Sequence, residues 1–181
     1  MGLFLFAGAA GALPASATAP QAFVPSYIVT LTGYNAVPGQ TDDTPFITAS
    51  GAYTNPEVVA ARSQDLKDEL PFGTVIAIEG PAGGSSGSCG WDAVGDTIGY
   101  RIVADTMNVR YTDRIDALFS IKDTYLFSNG RTRNAASLLG VCPGATVRVV
   151  GFVDISNPSK LPESQAELVA LVERGGKIAL K

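Results

Sequence analysis

Apolar and polar residues alternate with a period of two in several short stretches of this chain, and clusters of Gly, Pro, Asn and Asp separate them. Segment 26–34 (SYIVTLTGY) is rich in β-branched and aromatic residues and predicts a strand. The same pattern predicts strands over 46–53, 57–61, 73–80, 100–105, 114–121 and 145–155, with the second interrupted at Gly51. Residues 62–71 predict one or two helical turns ended by Pro71, and 134–139 a short helix stopped by Gly140. Segment 81–99 is a Gly/Ser-rich excursion without periodicity and reads as a surface loop. Near the end, Ser164 and Glu167 form a capping box ahead of an apolar stripe of Leu168, Leu171 and Val172, and Gly175–Gly176 close it. The expectation is a mainly β fold, a small mixed barrel over 26–155 with one or two short helices, followed by a helical tail over 156–181.

Composition narrows the chemistry. The 181 residues contain no histidine, which excludes Ser-His-Asp and Cys-His mechanisms and the His-containing zinc sites. Two cysteines cannot build a Cys-only zinc site, so neither a metal nor another cofactor is expected. Acid–base work falls to Asp, Glu, Lys, Tyr or Cys. A net charge of -4 provides no basic stripe to neutralise phosphates, which argues against a nucleic-acid partner.

Residues 1–19 carry a short apolar run from Leu3 to Leu13, then Ala15, Ala17 and Ala19 at A-x-A spacing. This is the pattern of a secretory signal peptide, although the first basic residue in the chain is Arg62. No later apolar run is long enough for a transmembrane span in the mature chain. An exported protein, secreted, periplasmic or associated with the cell wall, would pair its two cysteines, so a Cys89–Cys142 disulfide is expected. The alternative is two unrelated thiols.

Segment 104–116 (ADTMNVRYTDRID) places acids at the ends of two predicted strands. With TASG (48–51), VVAA (58–61), LPFGT (70–74), VADTMN (103–108), RYTDRID (110–116) and VTLTGYNAVPGQTDDTPF (29–46), it resembles the exported three-aspartate (3D) domain proteins. Those are related to the catalytic barrel of the membrane-bound lytic transglycosylase A family. The resemblance implies a six-stranded double-psi β-barrel and, where the protein is an enzyme, cleavage of peptidoglycan glycan strands. It also implies a site. Asp105 and Asp116 match the second and third family aspartates, eleven residues apart, and Asp65, or else Asp68, matches the first. Thr48, Ser50 and Gly51 would border the cleft. The loop Asp105-Thr106-Met107-Asn108 departs from the family's usual Asp-Thr-Gly-Gly.

In such a transglycosylase one carboxylic acid protonates the leaving oxygen, and the sugar's own C6 hydroxyl attacks C1. Asp116 is the expected acid, because it lies on a strand, with Asp105 raising or positioning its proton and Asp65 contributing. Tyr111 and Tyr34 are candidates to stack on sugar rings, or else half-buried packing residues. The plainer alternatives are local. Asp105 could cap a turn with Thr106 and Asn108, and Asp116 could pair with Arg114 or Arg110. A non-catalytic wall-binding module on the same barrel is the competing function.

Overall fold

A computed structural model describes residues 24–41, 44–82, 89–157 and 161–175. The expected signal peptide, 1–19, lies outside the described residues. Among the described residues eight strands are formed: β1 Ser26–Asn35, β2 Val59–Arg62, β3 Thr74–Glu79, β4 Tyr100–Thr106, β5 Arg114–Phe119, β6 Thr124–Leu126, β7 Thr132–Asn134 and β8 Cys142–Phe152. Three α-helices accompany them: α1 Trp91–Ile98, α2 Ala135–Leu139 and α3 Gln165–Glu173.

Six strands close a mixed barrel in the order β1-β5-β2-β4-β3-β8, and β6 and β7 form a separate hairpin. Two pairs are parallel, β1 with β5 and β2 with β4; the other barrel pairs are antiparallel. Parallel neighbours cannot be joined by a tight turn. The partners of each parallel pair are accordingly separated in sequence by other barrel strands, β2 to β4 between β1 and β5 and β3 between β2 and β4, and the β1–β2 and β4–β5 connections supply walls of the groove described below.

Alternation sorts the strands' side chains into two apolar layers. Val29, Leu31, Ala60, Ile76, Val103, Ile115, Ala117, Ala145 and Val147 come from all six barrel strands and form one cluster with Val94 and Ile98 of α1 and Leu139 of α2. The intervening residues, among them Tyr34, Val59, Ala61, Ile102, Ala104 and Leu118, form the second cluster with Leu168 of α3. Fully burying one such Leu or Ile contributes about 1.5–3 kcal/mol, so these layers dominate the stability.

Three departures from the sequence reading have local causes. Segment 46–53 is no strand: it holds one isolated bridge, Ile47 to Tyr53, around a turn in which the Gly51 N–H donates to Thr48 O at 2.9 Å. Gly51 takes φ +85°, which a side chain would strain. Residues 91–98 are α1 and not loop, because Trp91, Val94 and Ile98 share one helical face, and Val94 and Ile98 are buried. The indole of Trp91 lies so close to Gly80 that a Cβ there would collide with it. Segment 62–71 shortens to a 3-10 turn, Gln64–Lys67.

Cys89 and Cys142 form a disulfide, with Cα atoms 5.2 Å apart, tying the segment before α1 to the start of β8. Closing a separation of 53 residues stabilises the fold by roughly 4 kcal/mol in the chain-entropy view. The Ser164 half of the capping box forms as its sequence predicts, with Ser164 Oγ accepting from Glu167 N, while Glu167 Oε2 accepts from Glu163 N, one residue before the cap, at 2.9 Å. Among the described residues no helix is long and apolar enough to cross a membrane.

Candidate functional site

The two aspartates that the sequence singles out open onto one groove, but they do not lie on adjacent strands. β4 and β5 both neighbour β2, which separates them. Closeness in sequence does not fix lateral order in a barrel with parallel pairs, so consecutive strands need not be neighbours. Ala61 of β2 is the register partner of Asp105 on one side and of Asp116 on the other. Two interstrand spacings put the aspartate Cα atoms about 10 Å apart, and the small Ala61 side chain leaves the space between them open.

A bulge aims Asp105. Between β2 and β4 the register shifts at Ala60/Ala61: Ala60 pairs with Val103, and Ala61 pairs with Asp105, so Ala104 is the extra residue. Such an insertion reorients the residue that follows it. Asp105 thereby shares a face with Ala61 instead of alternating away from it. Its carboxylate is then fixed by three donors. Tyr34 Oη donates to Oδ2 at 3.1 Å, and the N–H groups of Ala49 and Thr106 donate to Oδ1 at 2.9 Å each. The Ala49 N–H is presented by the Thr48–Gly51 turn, which is held in shape by Thr48 Oγ1 against Ala52 and docked on β4 through Ser50 N–H to Ala104 O. The local alternative, a turn-capping bond, is present to the Thr106 N–H, but it is one of three. Burial and the adjacent Asp105 push the Tyr34 phenol well above its ordinary range, so it remains a donor.

Asp116 receives the opposite treatment. It sits mid-strand and half-buried, and its Oδ1 is sealed from solvent with no hydrogen-bond partner. Burial pushes its pKa up to about 6, Thr32 and Arg114 pull against that, and Asp105 adds to it. Thr32 is its register partner on β1, yet Thr32 Oγ1 makes no hydrogen bond of normal geometry. The hydroxyl's influence is therefore through proximity. No ion pair joins Asp116 to Arg114 or Arg110; among the described residues the ion pair is Arg148 with Glu79.

The groove holds about 750 Å³ and runs past Tyr34, Ala49, Ala61, Asp105, Tyr111 and Asp116. Its size suits a saccharide-sized ligand. Of the TASG block, Ala49 reaches the lining, while Thr48, Ser50 and Gly51, expected to border the cleft, are not among the residues that line it. Tyr111 lines the groove, but the guanidinium carbons of Arg110 and Arg114 each lie 4.7 Å from its ring centroid. Arg110 Nη2 also donates to Tyr111 Oη at 2.8 Å. The ring face is thus engaged by cations, and this rim presents positive charge in place of a sugar-stacking surface.

Asp65 is not among the residues lining the groove. It is exposed, and its Oδ2 accepts from Asp113 N at 2.8 Å; Asp113 reaches it from a left-handed conformation, φ 49°. Desolvation is the largest single influence and raises the Asp65 pKa, but hydrogen bonds from Ser63, Asp113 and its own backbone N–H, with the charge of Arg62, together outweigh it and hold the carboxyl below its ordinary value. Asp68 is exposed at the end of the 3-10 turn. A smaller crevice of about 410 Å³, between Val58, Ile102 and Leu161, holds no pair of acids. Sequence reasoning missed Ala61, the Ala49 N–H and the anchoring role of Tyr34.

Neither a family model nor a curated protein matches the chain.

Proposed function

We propose that this is an exported double-psi β-barrel that cleaves peptidoglycan glycan strands as a lytic transglycosylase, with Asp116 as the acid. One observation carries the reading: a half-buried carboxyl with its pKa lifted to about 6, open to a groove and flanked by an immobilised carboxylate. A general acid is most effective when its pKa lies near the working pH. Supporting the barrel type are the two interleaved parallel pairs, β1 with β5 and β2 with β4. Supporting export is the disulfide, which persists in oxidising compartments.

In this mechanism Asp116 gives its proton to the glycosidic oxygen as the C1–O bond breaks. Asp105, held by Tyr34, Ala49 and Thr106, faces the positive charge that develops at C1. The C6 hydroxyl of the same sugar closes on C1, and its proton returns to Asp116. The product carries a 1,6-anhydro end, no water is consumed, and the acid is regenerated.

A second reading is favoured by the position of Asp65. An enzyme built on three cooperating acids would bring it into the groove, and it is not there. A non-catalytic module that holds glycan in the same groove accommodates that placement. Incubating the protein with purified peptidoglycan and analysing soluble products by mass spectrometry separates the readings. Release of 1,6-anhydro ends supports the transglycosylase, and reducing ends alone indicate a hydrolase. No release, with the protein still sedimenting with the polymer, indicates the binding module.

A further inference from the structure

The largest fully buried side chain outside the groove is that of Arg101, near the start of β4, only 2% exposed. Its Nη1 donates to Pro56 O at 2.5 Å, and its Nε is buried with no partner. Its guanidinium carbon stands 6.0 Å from the Phe119 ring, at the outer limit of a useful cation–π contact. No carboxylate comes within ion-pair distance among the described residues. Burial accordingly pushes its pKa down to about 10, against the pull of Asp123, Tyr34 and Glu57. A buried guanidinium without a counter-ion is unfavourable, and such groups are normally paired.

Arg101 borders an open cavity of about 670 Å³, separate from the groove of Asp105 and Asp116. The cavity lies between β4, the end of β5 and the β6–β7 hairpin. Thr97, Ser120, Lys122, Tyr125 and Gln165 also line it, giving it a second cation and several hydrogen-bonding groups. The two acids on its edge, Glu57 and Asp123, are exposed and already employed: Glu57 Oε2 accepts from Gln165 N at 3.3 Å, and Asp123 Oδ2 from Ser120 N at 2.9 Å.

We infer that this cavity is a second binding site, for a small hydroxylated monocarboxylate whose carboxylate group settles between Arg101 and Lys122. Arginine's planar donors fit a carboxylate, and the Ser120 and Tyr125 hydroxyls fit ligand hydroxyls, while the Gln165 amide is spent on Glu57 and Tyr100. Glu57 and Asp123 on the rim repel a dianion more than a monoanion, which disfavours phosphate.

The test uses the full chain, labelled with nitrogen-15 and titrated with D-glucuronate, neutral D-glucose and inorganic phosphate while amide shifts are followed. The expected result is a saturable shift at 97–101 and 120–125 with glucuronate and none with glucose. Arg101→Gln should abolish it, and Lys122→Ala should weaken it about tenfold, with the loss shrinking as salt is added. No saturable shift with glucuronate, an equal response to glucose, or tighter binding of phosphate would overturn the assignment. Should Arg101→Gln fail to fold, Lys122→Ala decides, since an unchanged affinity in that variant also overturns it.

Discussion

Asp105 and Asp116 occupy equivalent places on either side of Ala61, yet their surroundings differ in almost every respect. Asp105 follows a bulge, faces a turn, and is met by three donors. Asp116 lies in an uninterrupted strand, keeps one oxygen sealed and unpartnered, and has its pKa raised by burial. The difference shows how one residue type can take two roles within one groove. Hydrogen-bond donors immobilise the first carboxyl, and lack of solvation favours the proton on the second. The third acid, Asp65, is exposed and satisfied at the surface, and neither device acts on it in the groove.

The variant with the largest expected effect is Asp116→Asn, which preserves shape and removes the proton. Glycan cleavage should fall by about 10²–10⁴. The same variant should be more stable than wild type at pH 7. The sign follows from the raised pKa: between about pH 4 and pH 6 the folded state binds more protons at this site than the unfolded chain. Wild-type stability therefore drops as pH rises through that window. The shift from 3.8 to about 6, discounted for the side open to solvent, corresponds to about 1–2 kcal/mol. Chemical denaturation of both proteins at pH 4 and pH 7 checks it. Equal stability differences at the two pH values would break the contrast between the carboxyls.

Removing the disulfide with Cys89→Ala and Cys142→Ala acts in the apolar layer of Leu31 and Ile115, on the opposite face of the sheet from the two carboxyls. It should lower stability by up to roughly 4 kcal/mol while leaving the midpoint of the pH–activity profile unchanged. A shifted midpoint in the folded variant would mean that the environment of Asp116 is set by more than its own strand. Tyr34→Phe then probes Asp105 alone. Losing the hydrogen bond to Oδ2 should cost about 1 kcal/mol of stability and reduce activity about tenfold, without changing the product. Asp65→Asn should have the smallest effect, with activity within about threefold of wild type, since an exposed surface contact contributes little. A loss for Asp65→Asn as large as for Asp116→Asn would restore the three-acid arrangement.

How much of this was legible depends on how local each feature is. The barrel strands other than the four-residue, fully buried β2 were readable because a β-rich pattern over six or more residues survives in sequence, as along YRIVADT and RIDALF. The end of α2 and the cap of α3 were readable because Gly140 and Ser164 act within a few residues of their own positions. Helix α1 was obscured: eight residues flanked by glycine carry only three large apolar side chains. The β6–β7 hairpin was lost in a polar stretch for the same reason. The separation of Asp105 from Asp116 by β2 depends on pairings between distant segments, and nothing in either strand's own sequence encodes them. The role of Tyr34 was hidden because its partner lies 71 residues away. The Ala49 contribution was hidden because a backbone N–H leaves no mark in side-chain chemistry.

The central claim is that Asp116 carries a proton close to neutral pH while facing the groove. The direct measurement is a carbon-13 NMR titration of the Asp116 side-chain carboxyl in the folded protein, assigned with Asp116→Asn. A midpoint at about pH 6 is the predicted result. A midpoint near the ordinary aspartate value of about 3.9 would contradict the account, because the groove would then hold no acid able to protonate a leaving group.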